Sequence, residues 1–167
     1  MNGEALRPEQ GYPIRLVVPG WEGNMWVKWL RRIEFGDKPY MTREETSKYT
    51  DLLSDGKARM FTWVMDAKSV ITSPCPEKPV LQKGIHQIRG LAWSGRGKIK
   101  RVDVSLDGGK NWKTAQLHSP VLEKSLTRFT IPFEWNGEEM LLQSRAIDET
   151  NYVQPTIKEL QNIRGVN

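Results

Sequence analysis

The chain has 167 residues, of which 38% are hydrophobic and 27% are charged, and its formal net charge is +5. This length and apolar content support one domain, or a small domain with part of another, and they exclude a disordered tail. No stretch is apolar over the length that a membrane span needs, MNGEALRPEQ is not a signal-peptide pattern, and the single cysteine excludes an internal disulfide.

Residues 11–30 predict a short strand, a Pro-Gly turn and then cations among apolar side chains. The branched run at 14–18 is too short for a helix and suits a strand buried on both faces. Arg15 lies within this run, and Lys28 lies between apolar neighbours. Burying two such cations costs free energy unless an anion pairs with them. A guanidinium and an ammonium group together suit a phosphate or another oxyanion. From these residues alone, extension of both side chains to the surface at strand ends is the favoured alternative.

The following residues predict small elements without a closed core. A second strand-like piece covers 29–35, and the capping-box pattern at 42–45 predicts the start of a short helix. The chain then turns at 52–56 and enters an extended arm whose apolar side chains fall within 60–65. Five apolar residues in six positions require a packing partner.

The character of the chain changes near residue 70. Residues 72–79 contain three prolines and predict an extended linker at a domain boundary. From about residue 69 onward, the pattern of apolar and polar residues predicts only β-strands. We therefore predict one region over 1–68 and a β domain over 69–167.

The β domain shows several alternating segments. Val102, Val104 and Leu106 fall on one face of a predicted strand. Further strands are predicted over 85–93, 128–135 and 140–147. Short strands at this spacing, joined by Gly-rich turns, predict an antiparallel sandwich of immunoglobulin type.

The basic residues do not predict a nucleic-acid interface. The densest cluster comprises Arg96, Lys98, Lys100 and Arg101, and a basic cluster on an alternating strand is typical of a solvated face. Nucleic-acid binding would require more aromatic side chains among the cations. We expect no nucleic-acid partner.

Residues 105–112 match the Asp-box pattern S-x-D-x-G-x-x-W. This pattern predicts a β-hairpin turn in which Asp107 accepts backbone amides, Gly108 and Gly109 take left-handed conformations, and Trp112 packs beneath them. A propeller would need several copies at a period of about 40–50 residues, and this chain has one. A sugar-binding or sugar-cleaving fragment would require further copies elsewhere, so we interpret the pattern as structural.

Other polar residues give weak signals. His86 and His118 have no cysteine or carboxylate at metal-ligand spacing, so we predict surface or edge positions and no metal ligand. Cys75 lies among prolines and is not expected to ligate a metal. Asp148 and Glu149 point to opposite faces of a strand and are expected to mark a loop rather than a catalytic pair.

Several motifs occur in a fixed order along the chain. The pattern G-[FY]-P-[VLI]-R-[LV]-[LV]-V-P-G, followed by V-K-W-L, stands in full at 11–20 and 27–30. Further motifs stand at 91–95, 102–109, 153–155 and 163–166. Together they resemble the C-terminal part of the sulfite oxidase family of molybdopterin oxidoreductases. Within this family, the sequences at 7–13, 22–25 and 42–51 most resemble the sulfane dehydrogenase branch of bacterial thiosulfate oxidation.

The resemblance implies a mainly β architecture. Residues 1–68 would be the C-terminal edge of a molybdopterin-binding α+β domain with its connecting arm. Residues 69–167 would be an immunoglobulin-like dimerisation domain, and relatives continue past 163–166 with a further strand. The molybdenum-ligating cysteine of relatives lies upstream of these motifs. We therefore expect the isolated chain to bind no molybdenum and to self-associate.

The resemblance also implies site residues. Those matching cofactor contacts are Arg15, Lys28, Val27, Trp26 and Gln10, with Trp26 and Gln10 replacing histidines that are often seen in the family. Arg164 matches an arginine that the second domain contributes to the substrate-anion pocket. No metal ligand is implied within this chain.

For a whole protein of this family, the resemblance implies a two-electron oxidation of sulfite or sulfane sulfur at a molybdenum-molybdopterin centre. The expected partners are a c-type cytochrome electron acceptor and a second subunit in a homodimer, and the expected location is the periplasm, without a membrane span. The alternative is a free-standing β-sandwich interaction module without a catalytic role.

Overall fold

The computed structural model describes residues 3–60, 63–80 and 82–164. The chain forms two compact units. The first comprises Met1–Val64 with Thr156–Asn167, and the second comprises Met65–Pro155.

The first unit contains little regular structure. Short 3-10 turns span Pro8–Gln10 and Gly23–Met25, and the regular elements are helix α1 (Arg43–Lys48), strands β1 (Asp51–Leu52) and β2 (Ala58–Arg59), and helix α2 (Ile157–Arg164). β1 and β2 pair antiparallel, and the predicted turn at 52–56 is the hairpin between them. In the described residues, neither helix has the length and apolar content to cross a membrane.

The predicted buried strand at 14–18 is not formed. Two backbone hydrogen bonds join this segment to a second extended segment: Leu16 N–H donates to the Val27 carbonyl at 2.9 Å, and Leu30 N–H donates to the Ile14 carbonyl at 3.0 Å. No further strand of the described chain adds to this pair. Ile14 is consequently 59% exposed, so the prediction of burial on both faces is wrong.

The predicted strand at 29–35 is also absent. Trp29 has a left-handed φ of 52°, no ladder partner for the segment occurs among the described residues, and Phe35 is 98% exposed. An apolar run favours a strand only where neighbouring backbone supplies hydrogen bonds.

The short helix predicted to start at 42–45 is confirmed as α1, although the capping box is not formed. Thr42 is the N-cap residue, but its side chain makes no capping hydrogen bond. The Thr46 hydroxyl instead donates to the Thr42 carbonyl at 2.6 Å. The cap position is therefore defined by the backbone alone.

The second unit is a β-sandwich of two antiparallel sheets, which confirms the predicted mainly β fold. One sheet has the order β3-β4-β8-β7 and the other has the order β6-β5-β9. The strands are β3 (Lys68–Ser73), β4 (Gly84–Trp93), β5 (Ile99–Ser105), β6 (Lys113–Thr114), β7 (Gln116–His118), β8 (Thr127–Trp135) and β9 (Gln143–Asp148). The segments predicted at 85–93 and 128–135 form β4 and β8 within one residue of their predicted bounds, whereas the strand predicted at 140–147 begins only at Gln143.

The core lies between the two sheets. Ile88 and Phe129 come from one sheet and Val102, Val104 and Ala146 from the other, and all are at most 1% exposed. The Phe129 ring occupies the position that a side chain on its cross-strand partner Gly90 would take, because a Cβ there would lie 2.2 Å from the ring. Glycine is therefore required opposite Phe129.

β5 departs from simple alternation. Val102 and Val104 face the core as predicted, but Asp103 and Ser105 are also buried. Asp103 accepts hydrogen bonds from Arg145 and forms a further ion pair with Arg101, so its charge is paired. Both faces of this strand are therefore covered from Val102 to Ser105.

The prediction of an extended linker over 72–79 is wrong at its start. Thr72 and Ser73 belong to β3, and a two-bond turn then joins Cys75 and Lys78. The prolines follow the last ladder residue of β3, where a missing N–H does not interrupt the sheet.

The hairpin at 105–112 has the predicted structure. Asp107 accepts the backbone N–H of Asn111 at 2.9 Å and of Lys110 at 3.1 Å. Gly108 and Gly109 have φ values of 74° and 92°. Hydrogen bonds from the Asn111 backbone and side chain, and from Ser105, hold the pKa of Asp107 far below its ordinary value.

Asp148 connects three segments of the sandwich, a role that its sequence context does not reveal. Its buried carboxylate accepts hydrogen bonds from the Ser94 hydroxyl at 2.7 Å and from the hydroxyl and amide of Thr150 at 2.6 and 3.0 Å. The Tyr152 amide donates to it at 3.1 Å. Burial opposes ionisation, but these hydrogen bonds outweigh it and lower the pKa of Asp148.

Candidate functional site

A tight turn at Gly11 brings the predicted cofactor residues together within the first unit. Gly11 has a φ of 108°, and its N–H donates to the Pro8 carbonyl at 3.0 Å. A Cβ at this position would lie 3.0 Å from the Lys28 Cβ and 3.2 Å from the Arg15 Cβ. Only glycine combines this backbone conformation with such close packing, so Gly11 defines the site.

Arg15 extends toward the carbonyls of this turn. Its Nη1 donates to the Gln10 carbonyl at 3.1 Å, and its Nη2 donates to the Trp26 carbonyl at 3.4 Å. The guanidinium carbon lies 5.9 Å from the centre of the Trp26 ring. Carbonyls and an aromatic face orient the charge without neutralising it.

Lys28 reaches the same turn from the opposite segment. Its Nζ donates to the Glu9 carbonyl at 2.8 Å and lies 5.8 Å from the centre of the Trp29 ring. The indole N–H of Trp29 donates to the Pro8 carbonyl at 3.0 Å. Both predicted cations therefore converge on the turn at residues 8–10.

The remaining predicted contacts lie beside these cations. Trp26 is half-buried, and its indole N–H donates to the Trp21 carbonyl at 3.2 Å. Val27 pairs with Leu16 through its backbone. Gln10 contacts Arg15 through its backbone carbonyl, a contact that does not depend on the type of side chain at position 10.

The site has an unbalanced positive charge. In the described residues, no carboxylate forms an ion pair with Arg15 or Lys28. The Nε atom of Arg15 is buried and has no hydrogen-bond partner within the described chain. A buried guanidinium N–H without an acceptor is costly, and an anionic group bound beside it would remove that cost. The arrangement fits the phosphate end of a cofactor.

Asn24 is a candidate that the sequence analysis missed. It lies in the second 3-10 turn, and both its side-chain nitrogen and oxygen are buried without a partner in the described part of the chain. A buried amide normally has hydrogen bonds to both atoms. Its place in the motif at 22–25 is the one sequence feature that points to it.

Arg164 lies at the end of α2. It is half-buried and belongs to the same compact unit as residues 1–64. The following residues of its motif, Gly165 and Val166, lie outside the described residues. The arginine that the resemblance assigns to the substrate-anion pocket thus lies in the last turn of a helix.

Nothing in the described part of the chain resembles a metal centre. No group of three histidine, cysteine or acidic side chains stands close enough there to hold an ion. His118 lies on the edge strand β7, as predicted, and contacts the Thr130 hydroxyl at 2.7 Å. His86 is half-buried in β4, and Cys75 is a free thiol.

Two protein-family models match the chain. The model described as Mo-co oxidoreductase dimerisation domain matches residues 59–167. The model described as oxidoreductase molybdopterin binding domain matches residues 1–44. The match to the dimerisation model alone extends over more than half of the chain.

Individual proteins are similar over nearly the whole chain. Sulfite oxidase of Gallus gallus is 33% identical over 181 residues, and NADH nitrate reductase of Solanum lycopersicum is 30% identical over 197 residues, each covering 99% of this chain. The crystal structure of the sulfane dehydrogenase SoxCD from Paracoccus pantotrophus matches 99% of this chain with a TM-score of 0.92 and 67% identity.

The chain spans less than half the length of these proteins. It covers 39% of the Gallus gallus enzyme, 21% of the Solanum lycopersicum enzyme and 43% of the sulfane dehydrogenase chain.

Proposed function

This chain belongs to the sulfite oxidase family of molybdenum-cofactor oxidoreductases, as its motifs predict, and we propose that it forms part of an enzyme that oxidises sulfite or sulfane sulfur. The similarity to a sulfane dehydrogenase at 67% identity favours sulfane sulfur as the substrate class. One observation in the first unit supports this proposal: the unneutralised pair of cations at the Gly11 turn.

Arg15 and Lys28 would hold the anionic end of a molybdopterin cofactor. The buried Nε–H of Arg15 offers one directional donor and the ammonium of Lys28 offers a point charge, and together they suit a phosphate. Trp26 would hold the guanidinium plane in position, with Val27 and Gln10 completing the neighbouring surface. The cofactor, when bound, supplies the two-electron redox chemistry.

Further elements of the proposal concern substrate and partners. Arg164 would bind the oxyanion of substrate or product, because a guanidinium satisfies such charge directionally. The β-sandwich would form a homodimer, in keeping with the dimerisation model that matches it. A periplasmic location and a c-type cytochrome as electron acceptor complete the proposal.

A non-catalytic sandwich module is the second candidate. Its support is that Met65–Pro155 encloses a core of its own, separate from the cofactor-type residues of the first unit. The Arg15 and Lys28 cluster argues against it, since a binding module would have no use for two unneutralised cations.

The first experiment measures the size and location of the native product by immunoblot of cell fractions with an antibody to residues 96–118. We expect a periplasmic band of about twice this length or more, since enzymes of this type carry further domains. A band at the length of this chain would contradict the enzyme proposal and favour the module.

The second experiment removes the cations in the native full-length protein. Because a charge-assisted hydrogen bond contributes about 1.5–3 kcal/mol, we expect Arg15→Gln and Lys28→Gln each to weaken cofactor retention about tenfold or more, measured as molybdenum and pterin per protein. Arg59→Gln in β2 removes the same charge from an exposed position and serves as control. Full molybdenum content in both folded site variants would contradict the proposed contacts.

A further inference from the structure

The outer face of the four-stranded sheet carries a basic groove. Arg89 on β4 and Arg128 on β8 are exposed and alternate with buried core residues. With His118, Thr72 and Thr130 they line an open groove of about 440 Å³. This groove lies entirely within the sandwich unit and includes no residue of the Gly11 turn.

The strand register concentrates positive charge in this groove. Arg128 is paired directly with His118 on β7 and with Leu91 on β4, whereas Arg89 is paired with Thr130. Arg89 is therefore the diagonal neighbour of Arg128, at about 7–8 Å for such positions. The two cations lie on one face of the sheet, where they repel each other, and an anion bound between them would offset that repulsion.

No carboxylate supplies that compensation. The residues lining the groove include no acidic side chain, and no ion pair of the described chain involves Arg89 or Arg128. Arg89 uses its Nε to reach Gln87 Oε1 at 3.1 Å, and Arg128 uses its Nη2 to reach the Ser119 carbonyl at 3.3 Å. Each guanidinium thus keeps further N–H donors without an acceptor among the described residues.

Neighbouring polar side chains are fixed around the two arginines. The His118 ring nitrogen and the Thr130 hydroxyl share a hydrogen bond of 2.7 Å, which fixes both groups at the edge of the groove. Thr72 is held in the same way, since its hydroxyl donates to the Arg89 carbonyl at 3.2 Å. The donors left for a ligand are therefore those of the two guanidinium groups, and guanidinium N–H groups match the oxygens of a tetrahedral oxyanion.

We propose that this groove binds a small tetrahedral oxyanion of the sulfate class. Charge complementarity carries the inference, because the groove has cations in unfavourable proximity and no acidic residue. The inference concerns residues of the sandwich alone and does not depend on cofactor binding or on the proposed oxidation.

The test is a titration of the full chain with sodium sulfate, followed by two-dimensional NMR of backbone amides and arginine Nε–H groups. Sodium chloride keeps the ionic strength constant. We expect saturable shifts at residues 87–91 and 128–130, and a Kd about tenfold weaker in Arg128→Gln and in Arg89→Gln. Arg59→Gln is the matched control, and its Kd for sulfate should equal that of the unaltered chain.

Three outcomes would overturn the proposal. Shifts that do not saturate or that chloride reproduces would indicate screening alone. Unchanged binding in both folded variants would place the anion elsewhere. Shifts at the groove that follow protein concentration rather than sulfate would show that an acidic segment of a second copy occupies it. Folding of each variant is checked by its Tm, and because both arginines are exposed, at least one variant should retain it.

Discussion

The two units of the chain use their apolar residues in different ways. In the sandwich, strands from two sheets bury Phe129, Ile88 and Val102 completely. In the first unit, the helices and 3-10 turns bury no residue, and Phe35 is 98% exposed. The comparison shows that an apolar run becomes a buried strand only where neighbouring strands supply both a hydrogen-bond ladder and apolar contacts.

The largest expected effect contrasts two phenylalanines. Phe129→Ala should lower the free energy of unfolding by about 3–5 kcal/mol, because it leaves a cavity between Gly90 and the facing sheet. Phe35→Ala removes the same atoms from an exposed position and should change the free energy by less than about 0.5 kcal/mol. Urea unfolding of both variants measures the difference. A cost above about 1 kcal/mol for Phe35→Ala would show that this side chain packs in solution.

The same comparison explains which elements could be predicted. Alternation over 128–135 identified β8, since both neighbours of that strand and its core contacts lie within the described sandwich. The run at 14–18 carries an equally strong apolar signal, but only two backbone–backbone hydrogen bonds of the described chain join it to its partner segment. Periodicity reports what a segment would bury and does not report whether a neighbour is present.

Some residues of the candidate sites could be predicted from the sequence, and others could not. Arg15 and Lys28 came from a motif, and the structure brings them to one turn. Asn24 and Asp148 were not identified as buried polar groups, because burial of a polar side chain depends on tertiary contacts that leave no periodic signal. Asp148 in particular resembles a loop residue in sequence.

Asp148 provides an intermediate test within the sandwich. Its pKa is lowered in the folded state, so its stabilising contribution is present above the pKa of the unfolded chain and is lost as pH falls through the folded value. Asp148→Asn should cost about 1–3 kcal/mol at neutral pH and should flatten the dependence of stability on pH below about pH 4. Asp37→Asn, at an exposed position of the first unit, is the control. Equal acid sensitivity in both variants would contradict the proposed role of the Asp148 hydrogen bonds.

The smallest expected effect is local to the Gly11 turn. Gly11→Ala places a Cβ 3.0 Å from Lys28 in a left-handed conformation, which costs about 1–2 kcal/mol. This local strain should favour opening of the two segments that pair beside the turn, so the Leu16 and Leu30 amides should exchange with solvent faster. The exchange rates of the β8 amides should not change. Gly23→Ala is the matched control, because its Cβ would contact nothing within 4 Å. Hydrogen exchange that quickens equally in both units would mean that the turn stabilises the whole chain, and the division into two units would then fail as a description of its stability.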